Sequence, residues 1–355
     1  TGPWVITTDY SLFGRIRSMD ESMPWTVSGD LATIPGDAVG RHHQGLIYIV
    51  GRGGANLIQV YDPTSGFVLV NEFSLGDGRN PQDIAFAPDG SAYISCYDEA
   101  VLLRVDTENG TILDTYDTSQ FADSDGLPET GWMLAHAGQL FITCQLLDRD
   151  NWYAPAGPGL LLVFDLSTRT WQPPIQLIGE DPYSPIRRFQ GPESQDLLAV
   201  GCVGYYTLLD GGIELVDPVA GQSNGYLATE EDLQGDVLNF VFTGNGSVHA
   251  LISSASFATS IVHLDLNEGG LVVTDASPGY NHADLAFDGT GQLFVADRTV
   301  GAAGIRVFDS ATDAELTTSP VATGLPPFLF VMPAVDEASA VGEIPHGNLT
   351  MGLPY

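Results

Sequence analysis

The stretch Asp83-Ile84-Ala85-Phe86-Ala87-Pro88-Asp89-Gly90-Ser91-Ala92-Tyr93-Ile94-Ser95, with Leu103-Arg104-Val105-Asp106 and Thr111-Ile112-Leu113-Asp114 after it, decides the fold. Four short apolar runs are separated by turn residues. Runs this short, bounded by Gly, Pro and Asp, read as strands, and tight turns between them make consecutive strands antiparallel neighbours. Asp89-Gly90 joins the first two. Asp106 opens the turn between the third and fourth: an Asp at that place bonds its own backbone, and Gly110 supplies positive φ at the corner.

The same unit recurs along the chain. The third-strand pattern returns as Ile16–Asp20, Ile58–Asp62, Leu103–Asp106, Leu162–Asp165, Leu215–Asp217, Val262–Asp265 and Arg306–Asp309. The spacing runs from 42 residues (Asp20 to Asp62) to 59 (Asp106 to Asp165). A second series, Trp4–Thr7, Leu46–Ile49, Ala92–Ser95, Leu140–Thr143, Leu197–Val200, Val248–Leu251 and Leu293–Ala296, precedes each of these. Four strands per unit, repeated seven times with almost no helical patterning, predict an all-β chain: a seven-bladed β-propeller of four-stranded antiparallel blades. The first unit opens at its second strand, and the last is followed by an apolar run, Pro326 to Met332, with no partner of its own. Placing that run as the innermost strand of blade 1 closes the ring and removes both sheet edges. The expected organisation is a propeller over 1–333, with 326–333 as the closing strand, and a tail over 334–355 that packs across one face or extends outward.

Charge narrows the partners. The 355 residues carry 12 Arg, no Lys and 45 Asp+Glu, a formal charge of −33. Such a surface repels phosphate backbones and anionic lipid, which argues against nucleic-acid and membrane-surface binding. No window approaches the roughly 18 apolar residues of a membrane span. The start at Thr1-Gly2-Pro3-Trp4 reads as a processed end, so an extracytoplasmic location and a lipid anchor upstream of Thr1 are expectations. The acid excess suits a strongly hydrated surface in saline or extracellular settings. Three Cys do not make a disulfide scaffold.

Asn80 to Ser95 resembles the YVTN-type propeller repeat, and Tyr280-Asn281-His282-Ala283-Asp284-Leu285-Ala286-Phe287 through Asp297-Arg298 is similar to NHL and gluconolactonase-type blades. At the level of repeat form the resemblance covers residues 4–333, and the whole chain resembles bacterial secreted or lipoprotein propellers of unassigned role. These families include lyases, lactonases, binding proteins and scaffolds, so the resemblance bears on fold far more than on activity. The gluconolactonase-like resemblance implies a metal, here Ca²⁺, held by Glu, Asn and Asp around the channel. Asp9, Asn239, Asp284 and Asp297 are the nearest candidates, although no motif fixes them residue by residue.

Ligands of propellers usually meet the face built by second-to-third-strand loops and blade connections. Aligning the second strands puts Thr8, Gly51, Cys96, Cys144, Cys202, Ile252 and Asp297 at one level. The three Cys either offer thiolates to a soft ion or fill cramped sites between blades. Acidic loops on this face offer oxygens to Ca²⁺ or are simply solvated. Arg52, Arg149 and Arg298 lie at or just beyond second strands, with Arg79 in a blade connection. They either take a carboxylate or sulfate by their planar forks or pair with adjacent acids. Blade 4 carries the largest insertion, Asp148 to Gly159, with Trp152 and Tyr153 at its centre. These aromatics anchor a protein or carbohydrate partner, or fold back over the channel against Tyr205 and Tyr206. His282 is placed to act as an acid–base residue if a nucleophile faces it. The expectation is a non-catalytic binding or scaffold propeller that engages its partner through this face. The alternatives are a Ca²⁺-dependent lactonase or lyase and a self-assembling structural subunit of a surface layer or appendage.

Overall fold

The computed structural model describes residues 2–191, 194–244 and 246–333; the tail over 334–355 lies outside them. Seven four-stranded antiparallel sheets follow one another along the chain. Blades 2, 3, 5, 6 and 7 each take four consecutive strands, while blade 4 admits a two-stranded ribbon, Leu147–Asp148 with Ala154–Pro155, between its second and third strands. Blade 1 is assembled from both ends: Pro327–Val331 pairs antiparallel with Trp4–Thr8, so the ring is closed as expected.

The repeat builds this fold because each blade has two apolar faces. Seven clusters of buried side chains occur among the described residues, one at each interface between adjacent blades. One joins Phe189 and Ile213 of blade 5 to Phe240 and Val262 of blade 6; another joins Val5 and Phe330 of blade 1 to Phe294 and Val307 of blade 7, completing the circle. Burying both faces of every sheet is what produces the uninterrupted apolar second strands.

The hairpin corners are as the sequence predicts. Asp62, Asp106, Asp217 and Asp265 each accept backbone N–H groups from the residues that follow. Gly66, Gly110, Gly221 and Gly269 sit at φ between 67° and 78°. Blades 4 and 7 put Arg169 (φ 56°) and Asp313 (φ 58°) in that left-handed position instead. The only α-helix among the described residues, Glu230–Leu233, is a single turn closed by a Thr229–Asp232 capping box, and no described helix is long and apolar enough to cross a membrane.

Ile252 stands level with Cys96 and Asp297, as the aligned second strands predict: each follows the residue that faces Asn239, Asp83 or Asp284. A bulge between Val237 and Asn239 matches those between Pro81 and Asp83 and between His282 and Asp284. The axial channel is lined chiefly by the innermost strands, while the second strands lie one layer further out, buried beyond their first residues.

Candidate functional site

Two cavities open on the face that carries the blade connections. One, about 740 Å³, runs along the axis between the innermost strands. The other, about 800 Å³, is a cup over blades 2 to 5, walled by Tyr97, Tyr183, Tyr205, Tyr206 and the blade-4 ribbon. Arg52, Gln82, Gln145 and Tyr183 line both, so the cup and the channel mouth are continuous.

The ribbon presents its aromatics outward. Asp148 caps the 3₁₀ turn Arg149–Asn151 through the Asp150 N–H, and Trp152 and Tyr153 follow at φ 60° and 58°. Two successive L-residues in the left-handed region are sterically costly and need surrounding structure to hold them. Arg149 supplies it. Its guanidinium donates to Glu129, Asp98 and the Tyr97 carbonyl, each at 2.8 Å, beneath the ring of Tyr153. Burial pushes the Glu129 carboxyl up to about 7 despite the opposing bond from Arg149. Trp152 stands 94 % exposed and Tyr153 52 %. The Tyr205 hydroxyl reaches the Pro155 carbonyl at 3.5 Å, which braces the far side of the ribbon. The indole is therefore not folded onto Tyr205 and Tyr206.

A polar belt surrounds the channel. Arg41 of blade 2 forks onto Asp83 of blade 3 at 2.6–2.7 Å, and the same carboxylate accepts the Met133 N–H of blade 4. On the opposite side, Arg187 of blade 5 donates to Asn239 of blade 6, and Asn239 donates to Asp284 of blade 7 at 2.6 Å. Asp284 also takes the Phe330 N–H of blade 1 at 2.8 Å. Asp83, Asn239 and Asp284 occupy the same strand position, three residues before Phe86, Phe242 and Phe287. Burial pushes the Asp284 carboxyl up to about 6, against the bonds from Phe330 and Asn239 and the field of Arg187.

Of the metal candidates, Asn239 and Asp284 meet at the channel wall. Asp9 and Asp297 do not join them: Asp9 accepts the Ser11 and Phe13 N–H groups, and Asp297 accepts Thr299 through both its N–H and its hydroxyl. Among the partner-binding candidates, Arg79 is a connection staple on Glu99 and the Leu75 carbonyl. Arg52 pairs with Asp37 and reaches Gln82. His282 is 1 % exposed and bonded to Asp275 at 2.9 Å, buried between blades 7 and 6. Arg298 has no carboxylate partner among the described residues; it donates to the Tyr280 carbonyl and the Tyr10 hydroxyl and stacks on both rings. Cys96, Cys144 and Cys202 are buried and unpaired, with thiol pKa values raised by burial.

Sequence reasoning missed Arg41, Asp83 and Arg187. The repeated Asp/Asn three residues before a strand-ending Phe was a legible signal for the belt. It also missed the meeting of His249, His263 and Asp313 on the opposite face, whose ligating atoms lie within 4.8 Å of one another. Such donors suit a zinc-like ion. Here Asp313 bonds His249 at 3.0 Å, His263 at 2.8 Å and Thr274 at 2.7 Å, tying blade 7 to blade 6.

Neither the family models nor the curated proteins contain a match to the chain. Solved structures do resemble it. It is similar to the dihydro-heme d1 dehydrogenase NirN (TM-score 0.55, 14 % identity, 93 % of this chain and 75 % of that one). It is also similar to apo AztD from Citrobacter koseri (TM-score 0.52, 11 % identity, 93 % and 97 %). A chain of Kuenenia stuttgartiensis hydrazine synthase overlaps at TM-score 0.45 and 12 % identity over 66 % of this chain, which spans 64 % of that chain's length. At such identities the likeness is one of fold: the chain is a seven-bladed β-propeller.

Proposed function

We propose that this protein is an extracytoplasmic, non-catalytic binding propeller with blades of the YVTN/NHL type, which engages a protein or glycan partner through the face bearing the blade-4 ribbon. The observation that carries this reading is the rigid display of Trp152. An indole 94 % exposed, at positive φ, on a ribbon pinned by four Arg149 and Asp148 contacts is a pre-organised anchor. The tyrosine-walled cup beside it offers flat apolar surface with hydroxyl and amide edges, the composition of binding surfaces that order few side chains on contact. The acidic, Lys-free surface is in keeping with an extracellular setting.

Photo-crosslinking tests this directly. A benzophenone side chain replacing Trp152 should capture a discrete partner in the producing cells. The same group replacing Val219, on the opposite face, should not. Equal capture from both positions, or none from residue 152, overturns the proposal. One observation favours an acid–base catalyst instead: Asp181, which lines the cup, is pushed up to about 7 by burial. Ester or lactone turnover that is lost in Asp181→Asn would replace the binding reading with that one.

A further inference from the structure

The twelve arginines of this chain face 45 carboxylates, and ten of them use the surplus. Among the described residues Arg15, Arg17, Arg41, Arg52, Arg79, Arg104, Arg149, Arg169, Arg188 and Arg306 each lie within 3.4 Å of an Asp or Glu oxygen. The two that do not are Arg187 and Arg298, and both line the axial channel.

The cavity is otherwise poor in anions. Five arginines line it, and among the described residues the only carboxylate lining it is Asp284, whose oxygens are already taken by the Asn239 amide and the Phe330 N–H. Arg187 donates Nε to the Phe240 carbonyl and Nη2 to Asn239, so Nη1 is unused. Arg298 donates Nε to the Tyr280 carbonyl and Nη1 to the Tyr10 hydroxyl, so Nη2 is unused, while its planar faces rest on the two rings. Each guanidinium is thus fixed in orientation with one edge free, the arrangement that takes a carboxylate without reordering. Burial and the repulsion of Arg41 draw the Arg187 pKa down to about 10, against the field of Asp284. Trp132, Ile186, Leu238 and Phe328 add apolar surface to the channel wall.

We propose that the channel is a binding site for a small organic carboxylate with an apolar body, its carboxylate held by Arg187 or Arg298 and its body against Trp132 and Phe328. This rests on the binding reading of the same face and names the ligand class its mouth admits. Doubly charged oxyanions fit less well, since they would bring two negative charges into the cavity that Asp284 lines and leave its apolar wall uncovered.

Calorimetry and thermal shift with the full chain test it, using benzoate and hexanoate as probes, benzyl alcohol and hexanol as neutral counterparts, and sulfate and phosphate as inorganic controls. The carboxylates should bind and raise Tm, and the alcohols should not. Arg187→Gln or Arg298→Gln, whichever removes the guanidinium that holds the carboxylate, should weaken binding at least tenfold. Arg298 contacts only surface rings and a carbonyl, so its variant keeps the test decisive where Arg187→Gln fails to fold. The double variant W152A/Y153A should bind the carboxylates as the unaltered protein does, which separates this site from the anchor on the ribbon. Carboxylates binding no better than the alcohols, undiminished binding in both Arg variants, or binding of sulfate and phosphate alone would each overturn the assignment.

Discussion

At the scale of single residues, the corners where glycine is missing are the informative ones. In blades 2 to 7 the Asp that opens the hairpin accepts backbone N–H groups of the turn leading to the left-handed corner, and an L-residue at that corner costs about 1 kcal/mol. Arg169 and Asp313 accept that cost, and each side chain is thrown toward the preceding blade. Arg169 of blade 4 reaches Asp89 of blade 3, and Asp313 of blade 7 reaches His249 and His263 of blade 6. Burial and the charge of the neighbouring His263 keep the His249 pKa low against the pull of Asp313, and the two rings stack at 4.4 Å between centroids. Asp313→Ala leaves the Nε2 of buried His249 and the Thr274 hydroxyl without their partner, and should lower stability by about 2 kcal/mol. Asp313→Gly should lose less, because relief of the corner returns about 1 kcal/mol. Urea titration of both variants measures the difference; equal losses would show that the corner conformation carries no strain.

At the scale of elements, legibility tracked how local the determining chemistry was. Asp-x-x-x-Gly corners and apolar second strands are set by neighbours in sequence, and the strands, the blade number and the pairing of Pro327–Val331 with Trp4–Thr8 were all readable from them. The level of Ile252 with Cys96 and Asp297 was readable too, because the bulge on the innermost strand recurs at the same place in blades 3, 6 and 7. The ribbon was visible as an insertion, and Trp152 and Tyr153 as its cargo, but its direction depended on Arg149 finding Glu129, Asp98 and Tyr97 in other loops. The channel was obscured for a different reason. Attention fell on the ends of the second strands, whereas the axis is lined by innermost strands, and an Arg within an apolar run such as Ile186-Arg187-Arg188-Phe189 resembles an ordinary surface position until seven strands are brought around one axis.

At the scale of the whole molecule, two populations of carboxyl groups pull stability in opposite directions with pH. Burial raises Glu129 and Asp181 to about 7, Glu230 to about 8 and Asp284 to about 6. Through the interval from the ordinary carboxyl pKa of about 4 up to those values the native state holds more protons than the unfolded one, so stability falls as pH rises across it. Turn bonds lower Asp62, Asp89 and Asp165 to about 2, and their stabilisation is present above about 4 and is lost as pH falls toward 2. Self-repulsion at −33 adds to the decline on the alkaline side. Melting temperature should therefore peak at about pH 5 and be lower at pH 8, and Glu230→Gln should flatten the fall between pH 5 and 8. A peak above pH 7 would mean that the buried carboxyls are ionised in the native state without cost. The closure of the ring has a mechanical side as well. Trp4 lies opposite Val331 and Thr7 opposite Pro327, so residues 4 and 331 leave blade 1 at the same edge. Tension applied through them does not load the strand pair in shear; it peels the pair apart one hydrogen bond at a time. Blade 1 is a clasp that yields first and at low force, and an optical trap pulling on the two sides of that edge should see it open well before the other six blades give way.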